Sequence, residues 1–272
     1  MRRIAVPAAA LLLVVSATCA AAQTKRLDVA YSVYLTGLPV GRATVTVEFS
    51  DSGFVASGSA KTSGFFRVIS KGEGSMSARG TTQANRLVSS VFSGRLLSNR
   101  RDQKIELNVV NGFAKEYSID PPQQDPQKKR VPITKEARTN IVDPMSAMLA
   151  FISKGDILSP EHCNRALPIF DGRYRFNIVL SFLRIETIST DGYQGPALVC
   201  QARYVPIAGH HTEGTAVQQM SENRNILVWV APVSGVRVLA PIKASIASPI
   251  GNFVVEATRF RVEPGRVTQP TR

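Results

Sequence analysis

Apolar residues recur in this chain at every second position, and that spacing excludes most architectures. Ala43, Val45, Val47 and Phe49 alternate with Arg42, Thr44, Thr46 and Glu48. Ile105, Leu107 and Val109 alternate with Glu106 and Asn108, and Phe176, Ile178 and Leu180 repeat the pattern. Leu198, Cys200, Ala202 and Tyr204 follow, then Ile226, Val228 and Val230, then Phe253, Val255 and Ala257. Side chains along a strand point alternately to opposite faces, so these runs describe antiparallel strands with one buried and one wet side.

Turn residues separate the runs: Gly37, Asp51-Ser52-Gly53, Asn111-Gly112, Asp171-Gly172, Asp191-Gly192, Ser234-Gly235 and Pro249-Ile250-Gly251. Asn111-Gly112 is the sharpest hairpin signal, because both central residues of a type I′ turn need positive φ. One segment follows a helical period instead. Asp143 is a capping acid and Pro144 suits a first helical position. Met145, Met148, Leu149 and Ile152 then fall at i, i+3, i+4 and i+7. This predicts a short helix near residues 143–154, with its Met-bearing face packed in the core rather than forming a cofactor box.

Pro121 to Pro132 lacks periodicity and reads as an exposed loop. No internal repeat is visible, and no compositional change demands two domains. The expected fold is all-β and mainly antiparallel: a single large curved sheet forming an open barrel or spiral, with the helix plugging or flanking it. Coiling would hide the edges that such a sheet otherwise exposes. The domain is expected over residues 23–263, with a flexible tail over 264–272.

The first residues carry a different message. Met1-Arg2-Arg3, an apolar run from Ile4 to Val15, and Ala20-Ala21-Ala22 before Gln23 form the order of a secretory signal peptide, residues 1–22. The run is too short to span about 30 Å of hydrocarbon as a helix. Export to the periplasm with cleavage after Ala22 is the expectation. Cys19 would make a lipoprotein the alternative, but Ser16-Ala17-Thr18 does not resemble a lipobox. The other two cysteines, Cys163 and Cys200, suggest one structural disulfide in an oxidising compartment, with two buried thiols as the alternative.

Thirty-three Lys and Arg against 20 Asp and Glu give a net charge of +13. A basic exported protein is biased toward anionic partners, although the charge is scattered in short clusters. Nucleic acid is the wrong partner outside the cytoplasm.

The ordered cues resemble a known family. They are Gly37 and Gly41; Asp143-Pro144-Met145-Ser146-Ala147; Ile169-Phe170-Asp171-Gly172-Arg173-Tyr174-Arg175; and Val199-Cys200-Gln201-Ala202-Arg203-Tyr204, leading into Pro206-Ile207-Ala208-Gly209-His210. Trp229-Val230-Ala231-Pro232 and Pro249-Ile250-Gly251 complete the set. Together they look like the exported family called domain of unknown function 3108, common in Gram-negative bacteria. The resemblance implies a periplasmic, β-rich protein of unassigned activity and supplies no catalytic residues. At fold level it is also similar to envelope-integrity factors and lipoprotein carriers, and fold does not confer function.

Two clusters hold chemistry worth locating. Arg173 and Arg175 would share one face of a strand leaving the Asp-Gly turn and, with Arg203, clamp a phosphate or carboxylate. Salt bridges to Asp171, Glu186 or Glu213 are the bland alternative. His210, His211 and Glu213, with His162 as a further nitrogen, carry zinc-ligand chemistry. Adjacent strand residues face opposite ways, however, and no His-Glu-x-x-His helix is present. No nucleophile elbow, phosphate-cradling loop or assignable carboxylate pair appears.

The favoured expectation is therefore a non-catalytic protein without cofactor or metal. It would support envelope integrity or assembly by binding a lipid, lipoprotein or polypeptide on its curved sheet, with peripheral membrane contact. The alternative is a metal-assisted hydrolase of an envelope polymer built on His210, His211 and Glu213. An outer-membrane barrel is disfavoured by the polar end of the chain at Arg272.

Overall fold

A computed structural model of the chain describes residues 24–64, 67, 72–83, 86–99, 101–122 and 129–265. The expected signal peptide with its cleavage site, Cys19, the middle of the 121–132 loop and residues 266–272 lie outside these. The first half of the chain gives β1 (Lys25–Leu35), β2 (Leu38–Phe49), β3 (Gly53–Thr62), β4 (Gly72–Gln83), β5 (Arg86–Ser98), β6 (Arg101–Val110) and β7 (Phe113–Asp120). The second half gives β8 (Ala150–Phe151), β9 (Arg165–Phe170), β10 (Arg175–Ser189), β11 (Gln194–Ala208), β12 (Ile226–Pro232), β13 (Val238–Ser248) and β14 (Gly251–Pro264).

These form one antiparallel sheet in the order β7-β6-β5-β4-β3-β2-β1-β14-β13-β12-β11-β10-β9, with β8 beside β13. Each half is a meander, because short turns can join only neighbouring antiparallel strands. The Asn111-Gly112 turn has positive φ at both residues, 51° and 76°, as expected, and Thr36-Gly37 does the same at 51° and 83°. The two meanders join where β1 pairs with β14, from Lys25 opposite Pro264 to Leu35 opposite Phe253.

The concave side holds the core. Leu27, Val47, Ala56, Ala78, Phe92 and Leu107 are successive cross-strand partners, and all six are buried. Their alternation in sequence thus becomes one packed layer across six strands.

The sheet remains open as a ladder, yet its two edges meet. Rings of Tyr117 on β7 and Phe170 on β9 lie 5.4 Å apart, edge to face. The Arg173 guanidinium donates to Gln103 Oε1 on β6 at 2.7 Å. Between the edges the chain itself is stitched in: Ile141 N–H donates to the Gly112 carbonyl at 2.9 Å and Val142 N–H to the Pro168 carbonyl at 2.9 Å. Arg138 donates to the Ala114 carbonyl at 3.3 Å and lies over the rings of Phe113 and Tyr117. This seam satisfies edge groups that would otherwise invite pairing with another chain.

Glycine is required where the seam is tightest. Gly172 has φ +89°, and a Cβ there would come 2.8 Å from Ile105 Cγ2. Gly209 has φ +83°, and its Cβ would lie 1.9 Å from the Arg173 carbonyl oxygen.

The helix expected over 143–154 begins where predicted but lasts one turn, Pro144–Ala147. Asp143 is fully buried and accepts from Met145 N–H at 2.8 Å, Ser146 N–H at 3.0 Å and the Ser146 hydroxyl. Sheet pairing then ends the helix. Ala150 and Phe151 pair with Leu239 and Val238 on β13, and Ile152 N–H donates to the Arg237 carbonyl at 2.8 Å. Met145, Leu149 and Ile152 are buried even so, so their spacing reported burial correctly and helix length incorrectly. A second helix, Thr215–Glu222, buries no residue, which is why no apolar stripe announced it.

Cys163 and Cys200 form a disulfide with Cα atoms 5.5 Å apart and a sequence separation of 37. Both are buried in a small cluster with Ala150, Ile152, Leu198 and Leu239.

Two consequences are testable. Closing a loop of this length stabilises the fold by about 3–4 kcal/mol, so Cys163→Ser will melt lower than the native protein under oxidising conditions. In strong reductant the two should melt alike; identical oxidised melts would mean the bond does not form in solution. Arg173→Ala removes the charged tie to Gln103 and should cost about 1–2 kcal/mol. It should also speed amide exchange in β6 and in the 171–174 turn, and unchanged exchange there would show that the seam does not depend on this pair.

Candidate ligand cavity

The concave face encloses a cavity of about 390 Å³, within the roughly 300–1,000 Å³ typical of small-molecule sites. Tyr31, Ala43, Val45, Gly58 and Met76 from β1 to β4 form one wall. Leu167, Ile169, Ile178, Leu180, Cys200, Val228, Val230, Ala244 and Val255 from β9 to β14 form the other. The helical turn closes the floor with Pro144, Met145 and Met148.

Residue size explains why this level of the barrel is hollow while the layer beside it is filled. Ala43, Gly58, Ala60 and Ala244 stand where larger side chains would meet across the space. At Gly58 a Cβ would already lie 3.2 Å from the Thr44 carbonyl oxygen and 3.4 Å from the Met145 methyl. Met76 lines the cavity and is 41% exposed, so the space communicates with solvent at β4.

Few polar groups reach this lining, and most are engaged elsewhere. The Tyr31 hydroxyl, whose pKa burial pushes well up, donates to the Pro241 carbonyl at 2.7 Å. Lys243 pairs with Glu256 at 2.7 Å and lies 5.5 Å from the centre of the Trp229 ring. His162 Nε2–H donates to the Asp156 carbonyl at 2.8 Å.

Arg165 is different. It opens β9 opposite Leu180 and is half-buried, with its Nε sealed from solvent. Among the described residues it has no hydrogen-bond or ion-pair partner, and burial alone holds its pKa below the usual arginine range. It also borders a second cavity of about 380 Å³ lined by Val88, Ile141, Leu149 and Phe151. Arg165 was missed in the sequence, although a signal exists: it shares the parity of Leu167 and Ile169, so the period of two puts a cation on an apolar face.

The three arginines expected to clamp an anion occupy separate environments. Arg173 lies in the turn before β10 rather than on the strand, so the expected face shared with Arg175 does not form. Its guanidinium binds Gln103 and the Tyr174 hydroxyl, the latter at 3.0 Å, and lies 4.8 Å from the centre of the Tyr174 ring. Arg175 folds back to the Phe176 carbonyl at 2.8 Å and Asn177 Oδ1 at 2.7 Å. Arg203 is exposed on β11, opposite Val179.

Asp171 sets the turn, accepting from the N–H groups of Arg173 at 2.7 Å and Tyr174 at 2.6 Å. Burial still raises its carboxyl pKa, outweighing those donors. Tyr174 goes the other way: burial would raise its hydroxyl, but Arg173 and Arg130 together bring it below the usual tyrosine value.

The histidine cluster is spread along a loop. The His210 carbonyl accepts from Val131 N–H at 3.0 Å, His211 bridges to Arg130, and Glu213 is exposed. His162 lies at the cavity instead. Among the described residues no three His, Cys, Asp or Glu side chains are grouped to hold a metal ion.

No curated protein matches the chain. A crystal structure described as a β-barrel-like protein of domain of unknown function DUF1849 from Brucella abortus is similar with a TM-score of 0.48 at 7% identity, covering 89% of this chain and 98% of that one. Residues 30–258 match the family described as protein of unknown function DUF3108, and the chain belongs to that family.

Proposed function

We propose that this is a non-catalytic periplasmic protein that holds the acyl chain of a lipid, free or attached to a lipoprotein, inside its curved sheet. The apolar cavity on the concave face carries the reading. Its walls are aliphatic side chains and methionines, which suit a flexible hydrocarbon better than a polar metabolite. The export signature of residues 1–22 and the buried disulfide support an oxidising compartment. Among the described residues no helix is long and apolar enough to cross a membrane. A carrier or sensor of envelope lipid would serve envelope integrity without chemistry of its own.

Native mass spectrometry of protein purified gently from the periplasm, followed by lipid extraction, tests this directly. A discrete additional mass traceable to an acyl chain is expected. The emptied protein should bind the uncharged fluorophore N-phenyl-1-naphthylamine saturably, one per chain. A clean apo mass together with no saturable fluorescence would overturn the proposal.

A further inference from the structure

Resting on that reading, we infer that Arg165 recognises an acid group, so that the cavity takes a single-chain amphiphile with a carboxylate or phosphate head. A charge removed from water is costly unless it is paired. Neighbouring cations obey this rule. Lys243 has Glu256, and Arg237 donates to the carbonyls of Ile152 at 2.8 Å and Gly155 at 2.6 Å. Arg165 has neither an acid nor a carbonyl, and no Asp or Glu among the described residues lines either cavity that it borders.

The residue is also held in place from several sides. Cys163, two positions earlier, is bonded to Cys200, which itself lines the cavity. Phe182 N–H donates to the Asn164 side chain at 2.9 Å, and the β9–β10 ladder continues through Arg165 and Leu180. A backbone fixed this firmly presents the guanidinium without further ordering, which is how a preorganised anion site gains affinity. The planar fork fits two oxygens of one acid group, while the aliphatic lining takes the chain.

The experiment compares hexadecanoate, hexadecanol and 1-palmitoyl-lysophosphatidate as competitors of N-phenyl-1-naphthylamine. It uses the native protein, Arg165→Met and Arg165→Lys. The native protein should prefer hexadecanoate to hexadecanol by about 10–100-fold, the range for a charge-assisted pair. Arg165→Met should lose that preference while binding the neutral fluorophore unchanged, and Arg165→Lys should keep only part of it. A stronger response to the lysophosphatidate than to hexadecanoate would assign the acid to a phospholipid, and the reverse order to a free fatty acid.

Removing an unpaired, half-buried charge should leave the ligand-free Arg165→Met protein melting at or above the native temperature. Equal native affinity for acid and alcohol, an acid preference retained in Arg165→Met, or a sharply lowered apo melting temperature would each overturn the inference. Failure of the neutral fluorophore to bind the native protein would instead remove the cavity reading on which it rests.

Discussion

The backbone ladder between the first and last strands is the interaction on which the rest of the molecule depends. Without β1 on β14, each meander would have an additional bare edge and half of a concave face. With it, the first and last strands sit in the middle of the sheet, and the segment between β7 and β9 is forced to the seam between the two edges. The segment that crosses there has no ladder of its own length to join. It is held by isolated backbone bonds at Val131, Ile141 and Val142 and by the buried Asp143 cap. That is how Met145 and Met148 come to form the floor of the cavity.

The same topology gives the disulfide its position. Cys163 lies at the end of the crossing segment and Cys200 near the middle of β11, a strand already fixed between β10 and β12. The bond therefore ties the least regular part of the chain to a well-paired part. Arg165 follows two residues later, at the point where the crossing segment becomes strand again. Structural support and the unpartnered cation thus share one corner of the cavity.

Much of this was legible as a period of two. The runs through Val47, Leu107 and Cys200 are strands with those residues buried, and the paired turn residues have the φ values their types require. Long-range choices were less visible. Trp229 should lie on the wet face by alternation, yet it is buried in the main core cluster opposite Val199 of β11, and its indole N–H donates to Glu186 of β10, 43 residues away in sequence. The 143–154 helix stopped early because β13 offered its Ala150-Phe151 stretch a ladder, and local periodicity cannot report a distant partner. Arg173 was read as a strand residue because alternation continued through it. Its turn depends on Asp171 and on the approach of Gly209, which no local pattern reveals.

Arg165 belongs to a different class of miss. Its parity with Leu167 and Ile169 was available, but a lone arginine in an apolar run is usually neutralised by an acid that the sequence does not identify. Here the structure supplies no such acid, and the lining beside it is hollow rather than packed. An apolar cavity forfeits dispersion contacts, and the loss grows with its volume. A chain able to bury Phe92 and Leu107 completely in one layer has the means to fill the next. Small residues at Ala43, Gly58, Ala60 and Ala244 leave it empty, and an uncompensated cation borders the space. Both departures cost stability in the unliganded protein, and one acidic amphiphile would relieve both together.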